Sequence, residues 1–216
     1  MEKSIRIRNS AGIIIIITCL FSFGYAILRY HIAGPVPWKD LPLYTLNKGI
    51  SLSALVLLIF NFSFGPLKNL GVKVPEAFMI ARKELGMIAF LLVLIHIIVS
   101  LLLFKPAIYG KFFHQNETLT LAAGISMLGG VISFVLLWFY STSFKSSNRD
   151  DEKLIRFIKS RNFTLSAGLF LILHLFFMGY KSWLTPGDWH GGLPPISLLS
   201  FVFFIGGYII NIFGRK

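Results

Sequence analysis

The chain has one cysteine, Cys19, and only nine acidic residues against 21 basic ones in 216 positions. A lone thiol can form neither an internal disulfide nor a cysteine-rich metal site. It also excludes a quinone-linked thiol oxidase, whose chemistry runs through cysteine pairs. Charge of either sign is scarce: 14% of residues are Asp, Glu, Lys or Arg, whereas 55% are hydrophobic and the mean hydropathy is +0.73. Such a composition belongs to integral membrane proteins. There is no nucleotide-binding glycine motif and no length left over for a flavoprotein domain. No two of the five histidines stand at a short metal-binding spacing such as i, i+4, which removes a zinc site of the metalloprotease kind. No serine motif or glutamate-rich metal motif supports an intramembrane hydrolase.

What the sequence does have is apolar runs of membrane length. Six can span a bilayer as helices, near residues 11–30, 44–64, 84–104, 119–140, 162–181 and 195–213. They predict an all-α integral membrane protein, a bundle of six transmembrane helices forming one domain over residues 1–216. Turn and stop signals fall between the runs: Gly34-Pro35 and Pro37, Gly65-Pro66 and Pro75, Pro106, and the Gly/Pro-rich stretch from Pro186 to Pro195. The first run follows Lys3, Arg6 and Arg8 as a signal peptide would, but it is long for one, so a retained helix is expected. Part of the polar segment after the fourth run, residues 150–161, suits a short amphipathic helix, with Leu154, Ile155, Phe157 and Ile158 toward lipid. Trp38, Trp183 and Trp189 mark an interfacial belt at one membrane surface.

The net charge of +12 reads as topology rather than as a nucleic-acid surface. The N-terminus, the 65–83 and 143–161 segments and the C-terminus hold 15 of the 21 Lys and Arg. The alternate segments and helix ends hold Arg29, Lys39, Lys48, Lys105, Lys111 and Lys181. By the positive-inside rule both termini are cytoplasmic, and the third and fifth helices run outward. The expected setting is a multi-pass protein in a bacterial inner membrane, with lipid as its immediate partner and no nucleic acid.

Two histidines lie deep in these runs. Between residues 85 and 104 the only clearly polar side chains are His96 and Ser100; between 163 and 180 they are Thr164, Ser166 and His174. An imidazole in hydrocarbon is costly and needs a metal, a proton relay or a buried polar partner. Counted from Glu84 and Asn162, each histidine is the thirteenth residue of its run, about 18 Å of helical rise from the inner end. Matched depth on parallel helices fits a heme iron with a histidine on each face. Ala89 and Ala167 stand two turns before the histidines on the same helix faces, and Gly86 and Gly168 add small volume, which suits the approach of something flat. Small residues also serve plain helix packing. His31 is expected at the outer interface. His114 and His190 fall in outer loops, where they are solvated or touch a partner, a heme propionate or a metal ion.

The segment from Arg82 to Phe90, Arg-Lys-Glu-Leu-Gly-Met-Ile-Ala-Phe, with Leu94-Ile-His96 beyond it, resembles the third helix of the ferric reductase-like transmembrane superfamily. Within it the segment is most similar to the heme-binding membrane subunit of the bacterial periplasmic methionine-sulfoxide reductase system. Leu173-His174-Leu-Phe-Phe resembles that family's fifth helix, and Leu46-Asn-Lys-Gly and Gly65-Pro-Leu have its character. The resemblance covers roughly residues 40–180. It implies a six-helix bundle that holds b-type heme and passes electrons across the membrane, from a cytoplasmic NAD(P)H or flavin reductase to ferric iron, a quinone or a periplasmic enzyme. Members with two stacked hemes carry a second histidine about four turns earlier on each helix, roughly 20 Å deeper. Arg82 and Lys83, and Ser160 and Arg161, occupy those places here. One heme b in the outer half is therefore expected. Arg82 and Arg161 become candidates for the phosphate of FMN or another flavin, or for a cofactor's acidic groups, with positive-inside anchoring as the simpler role. The alternative from a different class is a non-redox membrane chaperone or transport component, its histidines structural or part of a proton path.

Overall fold

The structure, a computed structural model, describes residues 2–142 and 152–215, with side chains from residue 10 onward in the first stretch and from residue 153 in the second. Six long helices dominate it: α1 Glu2–Ile27, α2 Leu46–Asn69, α3 Glu76–Leu103, α4 Leu121–Thr142, α5 Arg161–Trp183 and α6 Ile196–Gly214. All six belong to segments long and apolar enough to cross a membrane. Every backbone N–H and C=O in hydrocarbon must be satisfied within the protein, and an α-helix does this without outside help. With six crossings both chain ends lie on one side, called here the terminal side; the opposite surface is the far side.

The expected spans recur with shifted ends. α2 does not stop at Gly65-Pro66 but continues to Asn69 with Pro66 inside its last turns, and α3 starts at Glu76, eight residues before the expected Glu84. Pro66 lacks an N–H and so cannot serve the carbonyl four residues earlier, a gap that membrane helices tolerate. Arg82 of α3 packs beside this stretch, where its Nε donates to the Asn61 carbonyl at 2.9 Å. Pro75 caps α3, and Glu76 sits in its first turn, where a carboxylate favours the positive end of the helix dipole. Arg82 and Lys83 therefore lie within α3, not in a loop. The short helix Glu152–Ile158 falls inside the expected amphipathic segment; Leu154 and Phe157 are exposed, whereas Ile155 is half-buried and Ile158 is buried. Asp150 and Asp151 lie outside the described residues.

α2 is the central post. In its most apolar window 56% of the residues are buried, against 11% for α3. It packs on α1, α3 and α6, while α4 pairs with α5 and α5 also meets α6. α3 and α4 touch only lightly, through Phe90, Phe134 and Trp138, whose ring centroids are 5.7–6.0 Å apart. The bundle is thus an α1–α2–α3 group and an α4–α5 pair, joined mainly through α6. At the far side, Tyr25 donates to the Pro194 carbonyl at 2.6 Å, and Arg29 Nε reaches the carbonyls of Leu193 and Pro194.

Gly49 makes the α1–α2 contact possible: a Cβ there would stand 2.3 Å from Phe23 Cδ1. Gly49→Ala should lower stability in detergent by about 1–3 kcal/mol, the usual cost of overpacking, whereas Gly24→Ala, with nothing within 4 Å of its Cβ position, should be close to neutral. Thermal denaturation of the two variants side by side checks this.

Candidate functional site

His96 is on α3, seven residues before its end at Leu103; His174 is on α5, nine residues before Trp183. These offsets correspond to about 10 and 14 Å of helical rise, so the two stand within a turn of one another when measured from the far side. Measured from the terminal side they differ more, because α3 begins earlier than expected. The rings lie within electrostatic reach of each other, although α3 and α5 are not a packed helix pair. Both residues keep part of their surface accessible in the middle of the bundle.

Each imidazole is held by one nitrogen. His96 Nδ1 donates to the Asn47 side-chain carbonyl of α2 at 2.8 Å, with Ser100 Oγ at 3.3 Å, and the Asn47 amide donates to Ser100 Oγ at 3.0 Å. Ser100 is one turn beyond His96 on the same face of α3. His174 Nδ1 donates to the Ser126 backbone carbonyl of α4 at 2.9 Å. Ser126 answers with its own hydroxyl, which donates to the His174 carbonyl at 2.9 Å. A carbonyl oxygen can only accept, so both rings carry their proton on Nδ1 and present a bare lone pair at Nε2. No hydrogen bond among the described residues reaches either Nε2. The carbonyl that holds each Nδ1–H also fixes the rotation of the ring and so the direction in which Nε2 points.

Gly130 gives the His174 ring its place: a Cβ there would lie 2.8 Å from Nδ1. On the terminal side, Phe90 and Phe134 close the seam between the two helix groups. On the far side, Phe104, Tyr109, Phe112 and Phe113 form an aromatic cluster with centroid spacings of 5.2–6.3 Å. Two rings that offer one nitrogen each cannot complete a tetrahedral zinc site, and no group of three or more His, Cys, Asp or Glu gathers among the described residues. A porphyrin brings four nitrogens of its own and needs only two axial ligands from the protein.

The small residues next to this pair serve neighbouring helices. Gly86 lies against the Asn61 amide of α2, and Ala89 is fully buried in the core with Leu57, Leu58 and Leu85. The Ala167 carbonyl accepts from Ser133 at 3.1 Å, and Gly168 packs on the Tyr208 ring. Ala167 and Gly168 line a mainly apolar cleft of about 450 Å³, open mouth included, between α2, α4, α5 and α6 in the terminal half. Asn211 also lines it, 5% exposed, with its Oδ1 buried and unpartnered. Arg161 donates to the Ile212 carbonyl at 2.8 Å, and Arg215 hydrogen-bonds the Thr164 hydroxyl. Arg82 and Arg161 are thus tied to neighbouring helices through at least one nitrogen each.

The other histidines are apart from the pair. His31 stacks on Trp38 at 4.5 Å and its Nδ1 bonds the Val36 carbonyl, while its Nε2 is buried without a partner. His114 is exposed in the far-side loop, and His190 packs beside Gly34. Asn47, Ser126 and Gly130 are site residues that sequence reasoning did not assign. Asn47 had a signal, since an asparagine beside a lysine in an apolar run needs a partner. Ser126 acts through its backbone carbonyl, which no side-chain pattern reveals.

Asn47→Leu should leave the His96 N–H with only the distant Ser100 hydroxyl, at a cost of about 1–3 kcal/mol in stability. Thermal denaturation in detergent measures it, and unchanged stability would contradict the hydrogen-bonded arrangement. No protein-family model matches the chain, and no curated protein matches it significantly.

Proposed function

We propose that this chain is a transmembrane electron-transfer protein that holds one b-type heme between His96 and His174. The observation that carries this reading is the shared tautomer: both Nδ1 atoms are occupied by carbonyl oxygens, which leaves both Nε2 lone pairs for iron. Bound heme supplies a one-electron couple between ferric and ferrous iron. The protein's own part is to fix the two rings, keep them neutral and exclude water. Asn47 and Ser126 fix ring rotation. Phe90, Phe134 and Trp138 wall off the terminal side.

Most of the basic residues fall in the segments that join the helices at their terminal ends, which by the positive-inside rule supports a cytoplasmic setting for that side. Electrons then enter from a cytoplasmic reductase or reduced flavin and leave outward, to ferric iron, a quinone or a periplasmic enzyme. The histidines stand nearer the outer face, so the donor has the longer distance to cover. The cleft beside α6 lies on that inner path. Asn211 keeps an unpartnered oxygen in its wall, and Arg161, tied nearby to the Ile212 carbonyl, is the cation that would meet the phosphate of a flavin at the inner surface. Loss of flavin-dependent reduction in Arg161→Ala, with heme content unchanged, would support that role; unchanged reduction would remove it.

A second reading rests on the same hydrogen bonds. The Asn47–His96–Ser100 cluster is partly satisfied without any cofactor, as it would be in a non-redox transport or chaperone component. One spectrum separates the two. Protein purified from heme-replete cells should show the reduced-minus-oxidised bands of six-coordinate b heme, and both His96→Ala and His174→Ala should abolish them. A folded but colourless preparation would rule out the cytochrome reading.

A further inference from the structure

The far side holds cations that the positive-inside rule does not account for. Three of the minority basic residues converge there: Lys48 of α2, Lys111 of the α3–α4 connection, and Arg29 at the end of α1. Lys48 lies within a membrane span, half-buried, its ammonium 5.2 Å from the Tyr44 ring centroid and 4.9 Å from that of Tyr109. Lys111 keeps substantial exposure, but its ammonium reaches back to the Met178 carbonyl at 3.1 Å. Among the described residues no carboxylate approaches either one; the charges that act on Lys111 are those of Lys48 and Arg29. Burial, and then those two cations, pushes Lys111 down to about 8. Aromatic faces offset part of the cost of a buried ammonium, but like charges gathered at a membrane surface without a counter-ion remain unfavourable. Arg29 is already committed to two backbone carbonyls. The partners of the two lysines are neutral: the Tyr109 side chain and the Tyr44 ring for Lys48, and the Met178 carbonyl for Lys111.

Their positions relative to the histidines give the arrangement a purpose. Lys48 follows Asn47, the residue that holds His96, and it is close enough for its charge to be felt at that ring. Met178, which anchors Lys111, is one turn beyond His174 on α5. One ammonium thus lies near the His96 ring, and the other reaches the helix turn that follows His174 toward the far side. A ligand clamped between the imidazoles, with two carboxylates on one edge, would meet a lysine at each.

We propose that Lys48 and Lys111 receive the two propionates of the heme, which places its carboxylate edge toward the far side. This rests on the ligation of heme by His96 and His174. Neutralised propionates satisfy the lysines, and two charge-assisted contacts fix which way round the ring enters. His114 and His190, which the sequence offered for this task, are not needed for it.

The test uses the full-length protein in detergent, freed of heme and titrated with hemin and with hemin dimethyl ester, which lacks the carboxylate charges. The wild type should bind hemin about tenfold or more tightly than the ester, the scale of one or two charge-assisted hydrogen bonds. The Lys48→Met/Lys111→Met protein should lose that preference, and Lys48→Arg/Lys111→Arg should restore most of it. Equal binding of hemin and ester by the wild type would overturn the proposal, and that arm needs no variant to fold. Retained preference in the double methionine protein would overturn it as well. If hemin binds but the ester is not discriminated, the histidine ligation stands and only the propionate assignment fails. If hemin gives no six-coordinate spectrum at all, the ligation itself is wrong and the propionate assignment falls with it.

Discussion

Hydrogen bonds from polar side chains to backbone carbonyls of neighbouring helices hold this bundle in register. Lipid chains are as apolar as leucine, so burial of hydrocarbon gives helices little reason to choose one another inside a bilayer. Specific polar contacts do. Ser126 and Ser133 tie α4 to α5, Tyr208 ties α6 to α5 at the Leu165 carbonyl, and Asn69 ties α2 to the Gly214 carbonyl at the end of α6. Arg82 and Arg161 join the same scheme. The bonds of Ser126, Ser133 and Tyr208 satisfy hydroxyls inside the bundle, whereas Asn69 and Arg161 make theirs at its exposed terminal end.

The histidine pair extends this rule to chemistry. A structural histidine in a membrane is finished when its polar atoms have partners. Here Nδ1 is provided for on both rings and Nε2 on neither, on two helices that do not pack directly. Close approach at Gly130 and the reciprocal Ser126 bonds hold the His174 ring from two directions. The His96 ring is held by a side-chain amide, a softer support than a helix carbonyl. The two imidazoles therefore differ in the rigidity of their support, and the one held from α2 is the more adjustable.

Much of the fold was legible in the chain. Six apolar runs and their Pro/Gly breaks led to six helices, because hydropathy over membrane length leaves few other solutions. The ends were less legible. Gly65-Pro66 reads as a stop, yet α2 passes through it to Asn69, since a proline near a helix end removes a single hydrogen bond and membrane helices tolerate that loss. α3 begins directly after Pro75, and the depth of His96 measured from the terminal side changes with that start. The small residues Gly86, Ala89, Ala167 and Gly168 share faces with the histidines by periodicity. Their neighbours, Asn61, Leu57, Ser133 and Tyr208, depend on how helices dock and could not be read from spacing.

The sequence alone determined the helical membrane class, the count of spans and the two costly imidazoles, because hydropathy and residue type act locally. Only the tertiary structure decided which nitrogen of each imidazole is occupied. That depends on Asn47, 49 positions away from His96, and on the carbonyl of Ser126, 48 away from His174. It also decided that Lys48, a member of the basic minority, lies near the His96 ring, and that Lys111 reaches the turn of α5 that follows His174. Contacts between distant helices are set by docking, and in hydrocarbon docking is governed by where the few polar atoms find partners.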